Sequence, residues 1–266
     1  MHVPSPRLSV IVIAKNEAHR IERCLRSVAF ADEIVVLDSG SADDTVERAR
    51  QAGARVLETP DWPGFGPQKN RALALARGEW VFSIDADEEV TPALQRSILL
   101  VVSGRGAVGC AGYWVTRSSS FCGRVVRHGD WRNDRVLRLF RRGAARFSDD
   151  VVHERVECKA PHGRLDGLLL HDSVDSLEDA REKTERYARL GAQRLRAGGR
   201  GGLARALLHG GWTFLRGYFI RLGFLDGLAG LRIAALSARG TYMRYRLAAS
   251  SEAGQRPPTS SGNSKK

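Results

Sequence analysis

Two aspartates separated by one small residue, Asp85 and Asp87, directly follow an apolar run at Trp80–Ile84. Alternate residues leaving a strand lie on the same side, so the two carboxylates can converge while Ala86 points away. Divalent Mg or Mn prefers oxygen ligands and commonly bridges one or two carboxylates to the phosphates of a substrate. The pattern therefore predicts a divalent metal site for a phosphorylated substrate. A solvated turn or a helix cap is the alternative interpretation.

Polar residues also follow two other apolar runs of the sequence. Asp38 ends the run Glu33–Leu37, where a carboxylate can accept hydrogen bonds from a base or from ribose hydroxyls. It could equally form a turn before Gly40. Asn16 and Glu17 follow the first apolar run, and they either contact a ligand or cap the first helix.

Four further residues carry charges or protons suited to a transfer reaction. Lys69 and Arg71 lie at a predicted helix start, where an anion is favoured, although two basic residues on a helix also suit a solvated face. Glu154 could take the proton of an acceptor hydroxyl, and the adjacent His153 could complete a metal shell or bind a diphosphate. A surface loop is the alternative for this pair.

The spacing of apolar residues predicts alternating strands and helices over the first 90 residues. Strands are predicted at Leu8–Ala14, Glu33–Leu37, Arg55–Leu57 and Glu79–Ile84, with helices at 17–28, between Ser41 and Gly53, and at 68–76. Ser41 and Asp44 resemble a capping box at the start of the second helix. Repeated β-α units predict a parallel sheet flanked by helices, and ligands bind such sheets beyond the carboxyl ends of the strands.

A dinucleotide cofactor is not expected from this sheet. Dinucleotide-binding folds carry G-x-G-x-x-G after the first strand, and this chain has Ala14, Lys15, Asn16 and Glu17 there. Shorter strands are predicted further on at 113–116, 136–140, 156–158 and 168–171.

Most of the net charge of +12 lies near the C-terminus. Residues 190–249 contain ten arginines and one acidic residue, Asp226. A helix is predicted from Ser176 to about Leu195, and Leu203–Ala248 is predicted to be helical, basic and aromatic. A basic amphipathic helix with Trp, Tyr and Phe suits an anionic membrane leaflet, and a helix packed on the catalytic domain is the alternative. No apolar run reaches the length of a membrane-spanning helix, and no signal peptide is expected at the N-terminus.

Several of these segments together resemble glycosyltransferase family 2, the inverting enzymes with the GT-A fold. The segments are Ser9–Glu17, Glu33–Thr45, Gln68–Ala72 and Trp80–Asp87. Later segments are similar to the subgroup that glucosylates the inner core of lipopolysaccharide through a β-1,4 linkage, namely Arg138–Arg142, Val152–Glu154 and Gly223–Gly227.

The resemblance implies roles for individual residues. Asp38 would bind the base or ribose of the nucleotide, and Lys69 would lie close to the donor. Asp87 would hold the metal, with Asp85 nearby. Ala14, Asn16 and Glu17 would lie on the donor side, and His153 would be a further metal ligand. Glu154 is the predicted catalytic base, with Asp134 and Asp150 as alternatives.

The sequence therefore predicts a metal-dependent glycosyltransferase that moves glucose from UDP-glucose to a lipopolysaccharide core or another lipid-linked glycan. The predicted fold class is α/β, with a mostly parallel, Rossmann-like GT-A sheet and a basic, membrane-associating helical extension. The predicted domains are residues 1–175 (catalytic), 176–249 (helical extension) and 250–266 (disordered tail). The expected location is cytoplasmic, peripheral on the inner face of the inner membrane, without a nucleic-acid partner.

Two other functions remain open from the sequence. A sugar-nucleotide nucleotidyltransferase would share the sheet and the metal carboxylates, but it would need a glycine-rich phosphate loop after the first strand. A non-catalytic basic protein that binds membrane or nucleic acid would explain the arginines. It would leave Asp38, Asp85 and Asp87 without a role.

Overall fold

The computed structural model describes residues 7–132, 134–149, 154–199 and 201–249. The strands are Leu8–Ala14 (β1), Glu33–Asp38 (β2), Arg55–Glu58 (β3), Trp80–Ser83 (β4), Glu88–Val90 (β5), Gly112–Phe121 (β6), Arg124–Val125 (β7), Asp134–Arg141 (β8), Ala145–Phe147 (β9), Val156–Cys158 (β10) and His162–Val174 (β11). The α-helices are Ile21–Ser27 (α1), Thr45–Gln51 (α2), Phe65–Leu75 (α3), Pro92–Leu100 (α4), Leu177–Ala197 (α5), Leu203–Leu215 (α6) and Gly227–Ala249 (α7).

One mixed sheet organises the first part of the chain, in the order β3-β2-β1-β4-β8-β6-β11-β5, with β7 paired to β6. The first four strands in this order run parallel, as the repeated β-α units predict. From β4 onward the pairs β4–β8, β8–β6 and β11–β5 are antiparallel. Strands β6 to β11 follow one another without an intervening α-helix, so they add to the sheet in the antiparallel sense. Strands β9 and β10 form a separate two-stranded sheet.

Both faces of the central parallel strands β1 and β4 are buried, which explains their continuous apolar sequences. Along β1, Val10 and Val12 pack into one core that includes residues of α1 and α4, while Ile11 packs into a second core with α3 residues. Strand β4 alternates in the same way, with Phe82 in the first core and Val81 in the second. Fully burying a side chain of this size stabilises the fold by roughly 1.5–3 kcal/mol.

The α/β fold class predicted from the sequence is confirmed, with a sheet flanked by helices and a helical region at the C-terminal end. Strand β1 has the predicted bounds, and β2 extends one residue beyond its prediction. Helix α3 starts at Phe65, three residues before its predicted start, after Gly64 in a left-handed conformation at φ 115°. The predicted cap of α5 is also correct, because Ser176 Oγ accepts a hydrogen bond from Asp179 N at 3.0 Å.

Contacts divide the described chain into two compact units. The first consists of residues 7–127 and 131–173, and the second of residues 128–130 and 174–249. In the second unit α7 packs against both α5 and α6. Two glycines permit this close packing: a Cβ on Gly240 would lie 2.9 Å from Thr184 Cγ2, and a Cβ on Gly210 would lie 3.2 Å from the Ala238 carbonyl oxygen. Within the described residues, each helix is too short or too polar to cross a bilayer.

Candidate functional site

The carboxyl ends of the parallel strands bring the first set of predicted residues together. Ala14, the last residue of β1, is the register partner of Asp38, the last residue of β2. The buried Ala14 also accepts a hydrogen bond through its carbonyl oxygen from Ser39 N at 2.9 Å. The loops that follow β1 and β2 therefore start side by side.

The buried Asp38 holds the loop after β2. Its Oδ1 accepts hydrogen bonds from Gly40 N at 2.9 Å and Ser41 N at 2.8 Å, and its Oδ2 accepts a hydrogen bond from the Ser41 hydroxyl. Ser41 Oγ in turn accepts a hydrogen bond from Asn16 N at 2.8 Å, and Asn16 Oδ1 accepts one from Ala42 N at 2.8 Å. Asn16 has a φ of 56°, a conformation that asparagine tolerates better than most residues. Asp38 thus forms a turn in this structure, and its contact with a nucleotide stays a prediction.

The capping box predicted from Ser41 and Asp44 is wrong. The Ser41 hydroxyl is engaged with Asp38 and Asn16, and α2 begins later, at Thr45, without a side-chain cap. Thr45 Oγ1 instead accepts a hydrogen bond from Glu17 N at 2.8 Å. The polar residues of the second loop therefore fix the first loop in place, which local sequence patterns do not reveal.

Lys69 joins two carboxylates that are far apart in sequence. Its Nζ lies 2.7 Å from Asp85 Oδ1 and 2.7 Å from Glu154 Oε1. The lysine is only 4% exposed. Burial alone would lower the pKa of Lys69, but the two carboxylates outweigh burial and raise it. Lys69 is therefore a permanent cation between Asp85 and Glu154.

Helix α3 is fixed against β9, which explains why Lys69 reaches Glu154. Asn70 Nδ2 donates a hydrogen bond to the Phe147 carbonyl oxygen, and Phe147 N donates one to Asn70 Oδ1, both at 2.9 Å. A Cβ on Gly66 would lie 1.9 Å from the Ser148 carbonyl oxygen, so only glycine fits this approach. Phe147 and Ser148 are therefore held against the helix that carries Lys69, and Ser148 N donates a hydrogen bond at 2.8 Å to the carbonyl oxygen of Arg155, the residue after Glu154.

A second cation, Arg138, binds the other side of Asp85. Arg138 Nη2 lies 2.5 Å from Asp85 Oδ2 and 2.5 Å from Glu88 Oε1. Burial would raise the pKa of Asp85, but Arg138 and Lys69 outweigh burial and hold it well below its usual value. Glu88 is 1% exposed, and burial raises its pKa despite Arg138. Asp85 is therefore an ionised carboxylate held between two buried cations.

Asp87 points to a different partner. Its Oδ2 lies 3.4 Å from His171 Nε2. The other ring nitrogen, Nδ1, is 2.8 Å from Ser173 Oγ and 3.2 Å from Ser119 Oγ. A hydrogen on Nδ1 that is donated to either hydroxyl leaves a lone pair on Nε2, facing Asp87.

Asp87 and His171 fit a divalent metal ion as two adjacent ligands. Two ligands that bind one metal at right angles, each about 2.1 Å away, lie about 3 Å apart. No third His, Cys, Asp or Glu completes such a group within the residues that the structure describes. The predicted ligand His153 lies outside the described residues. Asp85, which was also predicted near the metal, is engaged with Lys69 and Arg138.

The two alternatives for the catalytic base stand differently. Asp134 Oδ2 accepts a hydrogen bond from Arg117 Nε at 2.7 Å and a second from Nη2 of the same guanidinium. Asp150 lies outside the described residues. Glu154 is the candidate base that shares a contact with Asp85, because Lys69 Nζ lies 2.7 Å from a carboxylate oxygen of each residue. Its catalytic role stays a prediction.

Sequence reasoning missed three charged or titratable residues of this cluster: Glu88, Arg138 and His171. Arg138 lies between Leu137 and Leu139 in the buried part of β8, and a buried arginine requires acidic partners, so its position was a usable signal. Glu88 follows the Asp85–Asp87 pair directly and could have been grouped with it. His171 gave no local signal, because only the antiparallel pairing of β11 with β5 places it opposite Glu88.

Comparison with known proteins identifies the family. The model described as Glycosyl transferase family 2 matches residues 9–161, more than half of the chain. The chain belongs to glycosyltransferase family 2. The match contains Asp38, Lys69, Asp85, Asp87 and Glu154, and it agrees with the GT-A fold expected from the sequence. Membership favours sugar transfer over nucleotidyl transfer and over a purely binding role.

Curated relatives of this family 2 glycosyltransferase cover nearly its whole length. Lipopolysaccharide core biosynthesis glycosyltransferase LpsC of Rhizobium meliloti is 31% identical over 93% of this chain and 96% of its own. An uncharacterised glycosyltransferase of Rickettsia typhi is 29% identical over 90% of this chain and 85% of its own. The predicted family is confirmed, and LpsC agrees with the resemblance to lipopolysaccharide core enzymes.

Solved structures match a smaller part. The crystal structure of glucosyl-3-phosphoglycerate synthase from Mycobacterium tuberculosis with Mn²⁺, UDP and glucosyl-3-phosphoglycerate is 33% identical, with a TM-score of 0.36. The similarity covers 43% of this chain and 44% of that chain.

Proposed function

We propose that this glycosyltransferase moves glucose from UDP-glucose, with inversion, onto a lipopolysaccharide core or another lipid-linked glycan. The observation that carries the proposal is Lys69, which holds Asp85 and Glu154 together at the carboxyl ends of the parallel strands. Asp87 and His171 lie at the same end of the sheet. Ligands of open α/β sheets bind at this edge.

Asp87 and His171 would hold a divalent ion, Mg or Mn, whose charge offsets that of the diphosphate leaving group. The carboxylate and imidazole are both ligands that Mn accepts, and the hydroxyls of Ser119 and Ser173 orient the imidazole. Lys69 and Arg138 are themselves paired with carboxylates, so they would position Asp85 and Glu154 at this edge. The positive charge that stabilises the negative charge developing on the leaving group would come from the divalent ion.

Glu154 would act as the base. As the acceptor oxygen attacks the anomeric carbon, its proton passes to a Glu154 carboxylate oxygen while the bond from that carbon to the diphosphate breaks. Attack opposite the leaving group inverts the anomeric centre. Lys69 Nζ contacts Glu154 Oε1 at 2.7 Å, so the contact would orient the carboxylate that takes the proton.

The acceptor class rests on the relative LpsC, named for lipopolysaccharide core biosynthesis, which aligns with 93% of this chain. Glucose and the β-1,4 linkage come from the segments Arg138–Arg142, Val152–Glu154 and Gly223–Gly227, which are similar to the inner-core glucosyltransferase subgroup.

The direct test is calorimetric titration of UDP into the purified full-length protein in the presence of Mn²⁺ or of EDTA. We expect binding that requires Mn²⁺ and that weakens at least about a hundredfold in Asp87→Asn, because even residues that only orient metal ligands contribute 10–100-fold. Asp166→Asn is the matched control, since Asp166 is an exposed aspartate of β11, the strand that also carries His171. Equal UDP affinity with Mn²⁺ and with EDTA would contradict the metal site.

Transfer itself is tested by UDP release from UDP-glucose with and without a lipopolysaccharide acceptor. We expect release to rise when a core acceptor that lacks its terminal glucose is added. If the protein binds UDP with Mn²⁺ but UDP release stays at the hydrolytic background with every lipid-linked acceptor, the proposed acceptor class is refuted. The proposed donor site would still stand.

A further inference from the structure

Helix α6 has a packed face and an exposed apolar face. Ala206 and Gly210 are buried, and so is Gly217 in the helical turn Arg216–Ile220 that continues α6. With about 100° per residue, Leu208, Trp212, Leu215 and Phe219 fall within about 60° of one another on the opposite side. Their exposed fractions are 73%, 54%, 50% and 53%. These four residues are called the outer stripe below.

The turn between α6 and α7 continues this exposure. Ile220, Phe224, Leu225 and Leu228 are exposed by 60%, 44%, 56% and 65%. These four residues are called the hairpin tip. Eight large apolar side chains on one helical hairpin exceed the scattered exposed apolar residues that are normal on a protein surface.

Aromatic contacts make the outer stripe and the tip continuous. Phe219 of the stripe contacts Tyr218 with ring centroids 5.1 Å apart, and Tyr218 contacts Phe224 of the tip at 6.3 Å. Phe214 stacks on Tyr218 at 5.5 Å from the preceding turn. The apolar surface is therefore one connected feature of the hairpin.

The tip is held in one conformation by the segment 128–130, which belongs to the same compact unit. Asp226 Oδ2 accepts a hydrogen bond from His128 N at 2.8 Å, and Asp226 Oδ1 lies 2.9 Å from the His128 ring Nδ1. Asp130 contacts Arg221 Nη1 at 2.6 Å and Arg216 Nη2 at 3.2 Å. The apolar side chains of the tip are thus presented by an ordered turn.

The charge around this surface is basic. Residues 201–249 contain seven arginines and one acidic residue, Asp226, which His128 contacts. Arg205 lies one turn from Leu208 on α6, and Arg232 lies one turn from Leu228 on α7, both exposed. A surface that combines exposed apolar and aromatic side chains with flanking arginines is complementary to an anionic bilayer, whose headgroups are negative and whose interior is apolar.

The hairpin can enter a bilayer surface but cannot cross it. Among the described residues, neither helix of the hairpin is both long and apolar enough to span the hydrocarbon core of about 30 Å. Helix α6 has 13 residues and is about 20 Å long, and α7 has 23 residues but is too polar. We propose that the hairpin formed by α6, the tip and α7 inserts its outer stripe and tip into the headgroup region of an anionic lipid membrane. This docking does not depend on the identity of the donor or acceptor, although it suits a lipid-linked acceptor.

Vesicle flotation of the full-length protein tests this surface. Vesicles of phosphatidylcholine alone are compared with vesicles that contain about one third phosphatidylglycerol. We expect tight flotation with the anionic vesicles and weak flotation with the neutral ones. Leu215→Gln and Phe219→Gln should each weaken partitioning about fivefold, since each side chain has about half of its surface left to bury. Glutamine keeps a good helix propensity.

Matched variants separate apolar insertion from charge. Leu100→Gln changes a leucine of α4 that is 47% exposed and lies outside the hairpin, and it should float like the wild type. Arg205→Gln with Arg232→Gln should weaken binding to anionic vesicles and leave binding to neutral vesicles unchanged. If Leu215→Gln or Phe219→Gln reduces the helical signal in circular dichroism, the double variant Leu208→Gln with Leu225→Gln tests the same apolar surface at two other positions. UDP binding with Mn²⁺ should stay unchanged in every hairpin variant that retains its helicity.

Two results would overturn the proposal. The wild type fails to float with either vesicle, or folded hairpin variants float as well as the wild type. If flotation is absent, analytical ultracentrifugation shows whether the wild type is a dimer that Leu215→Gln converts to a monomer. That outcome would assign the apolar surface to a second copy of the chain. Loss of UDP binding in the wild type would count against the proposed function and leave the flotation result standing.

Discussion

Replacing Arg138 by methionine tests the buried charge cluster beneath Asp85. Arg138 is 5% exposed, and its guanidinium contacts both Asp85 and Glu88 at 2.5 Å. Methionine is unbranched, similar in length to arginine and uncharged, so the substitution chiefly removes the positive charge of residue 138. Glu88 then retains Arg117 Nη1 at 3.3 Å and the Asp85 N–H at 2.9 Å, while Asp85 retains Lys69. Removing one partner of a buried ion pair destabilises a protein by about 3–5 kcal/mol.

For a unit of this size, each kcal/mol lowers the melting temperature by about 2–4 °C, so we expect a decrease on the order of 10 °C. Urea unfolding followed by tryptophan fluorescence measures the free energy of unfolding. Four of the five tryptophans (62, 80, 114 and 131) lie in the first unit and report on it.

Two further variants show whether the loss comes from charge. Arg141→Met lies on the same strand, but Arg141 is half-exposed and pairs with Glu79 at 2.6 Å, so we expect a loss of about 1 kcal/mol or less. Glu88→Gln combined with Arg138→Met removes the buried carboxylate that has lost its contact with Arg138 and should recover most of the lost stability. The reasoning is refuted if Arg138→Met is as stable as Arg141→Met, or if the double variant is no more stable than Arg138→Met.

Two other substitutions test the site and the sheet. Lys69→Met leaves Asp85 and Glu154 without their shared cation and should lower the turnover for UDP release from UDP-glucose roughly a hundredfold. Lys159→Met, which changes an exposed lysine, is the control and should leave turnover unchanged. An equal loss of turnover in both variants would contradict the role of Lys69. In Glu33, burial would raise the pKa, but hydrogen bonds from Ser9 and Arg77 and the charge of Arg55 outweigh it and lower the pKa. The stability that Glu33 contributes is therefore present above its unfolded pKa of about 4.5 and is lost as the pH falls below that value. The difference in unfolding free energy between wild type and Glu33→Gln should shrink between pH 7 and pH 3, and a difference independent of pH would refute this assignment.

The sequence by itself determined the parallel half of the sheet and the identity of several site residues. The apolar run of β1 could only be a strand buried on both faces, and the structure gives it the predicted bounds. Asp38 and Asp85 follow such runs directly, so their position at the carboxyl edge of the sheet followed from the chain direction alone. The combination of segments around these residues was specific enough to indicate the family, which the family match confirms.

Only the tertiary structure decided which side chains of the site meet. Lys69 and Glu154 are 85 residues apart, and their contact depends on the docking of α3 against β9 through Asn70 and Gly66. His171 reaches Asp87 because β11 pairs with β5, an antiparallel pairing between segments distant in the chain. Local periodicity determines whether a segment is a strand or a helix and which of its faces is apolar. It carries no information on the order of antiparallel strands in a sheet, because that order depends on long-range packing.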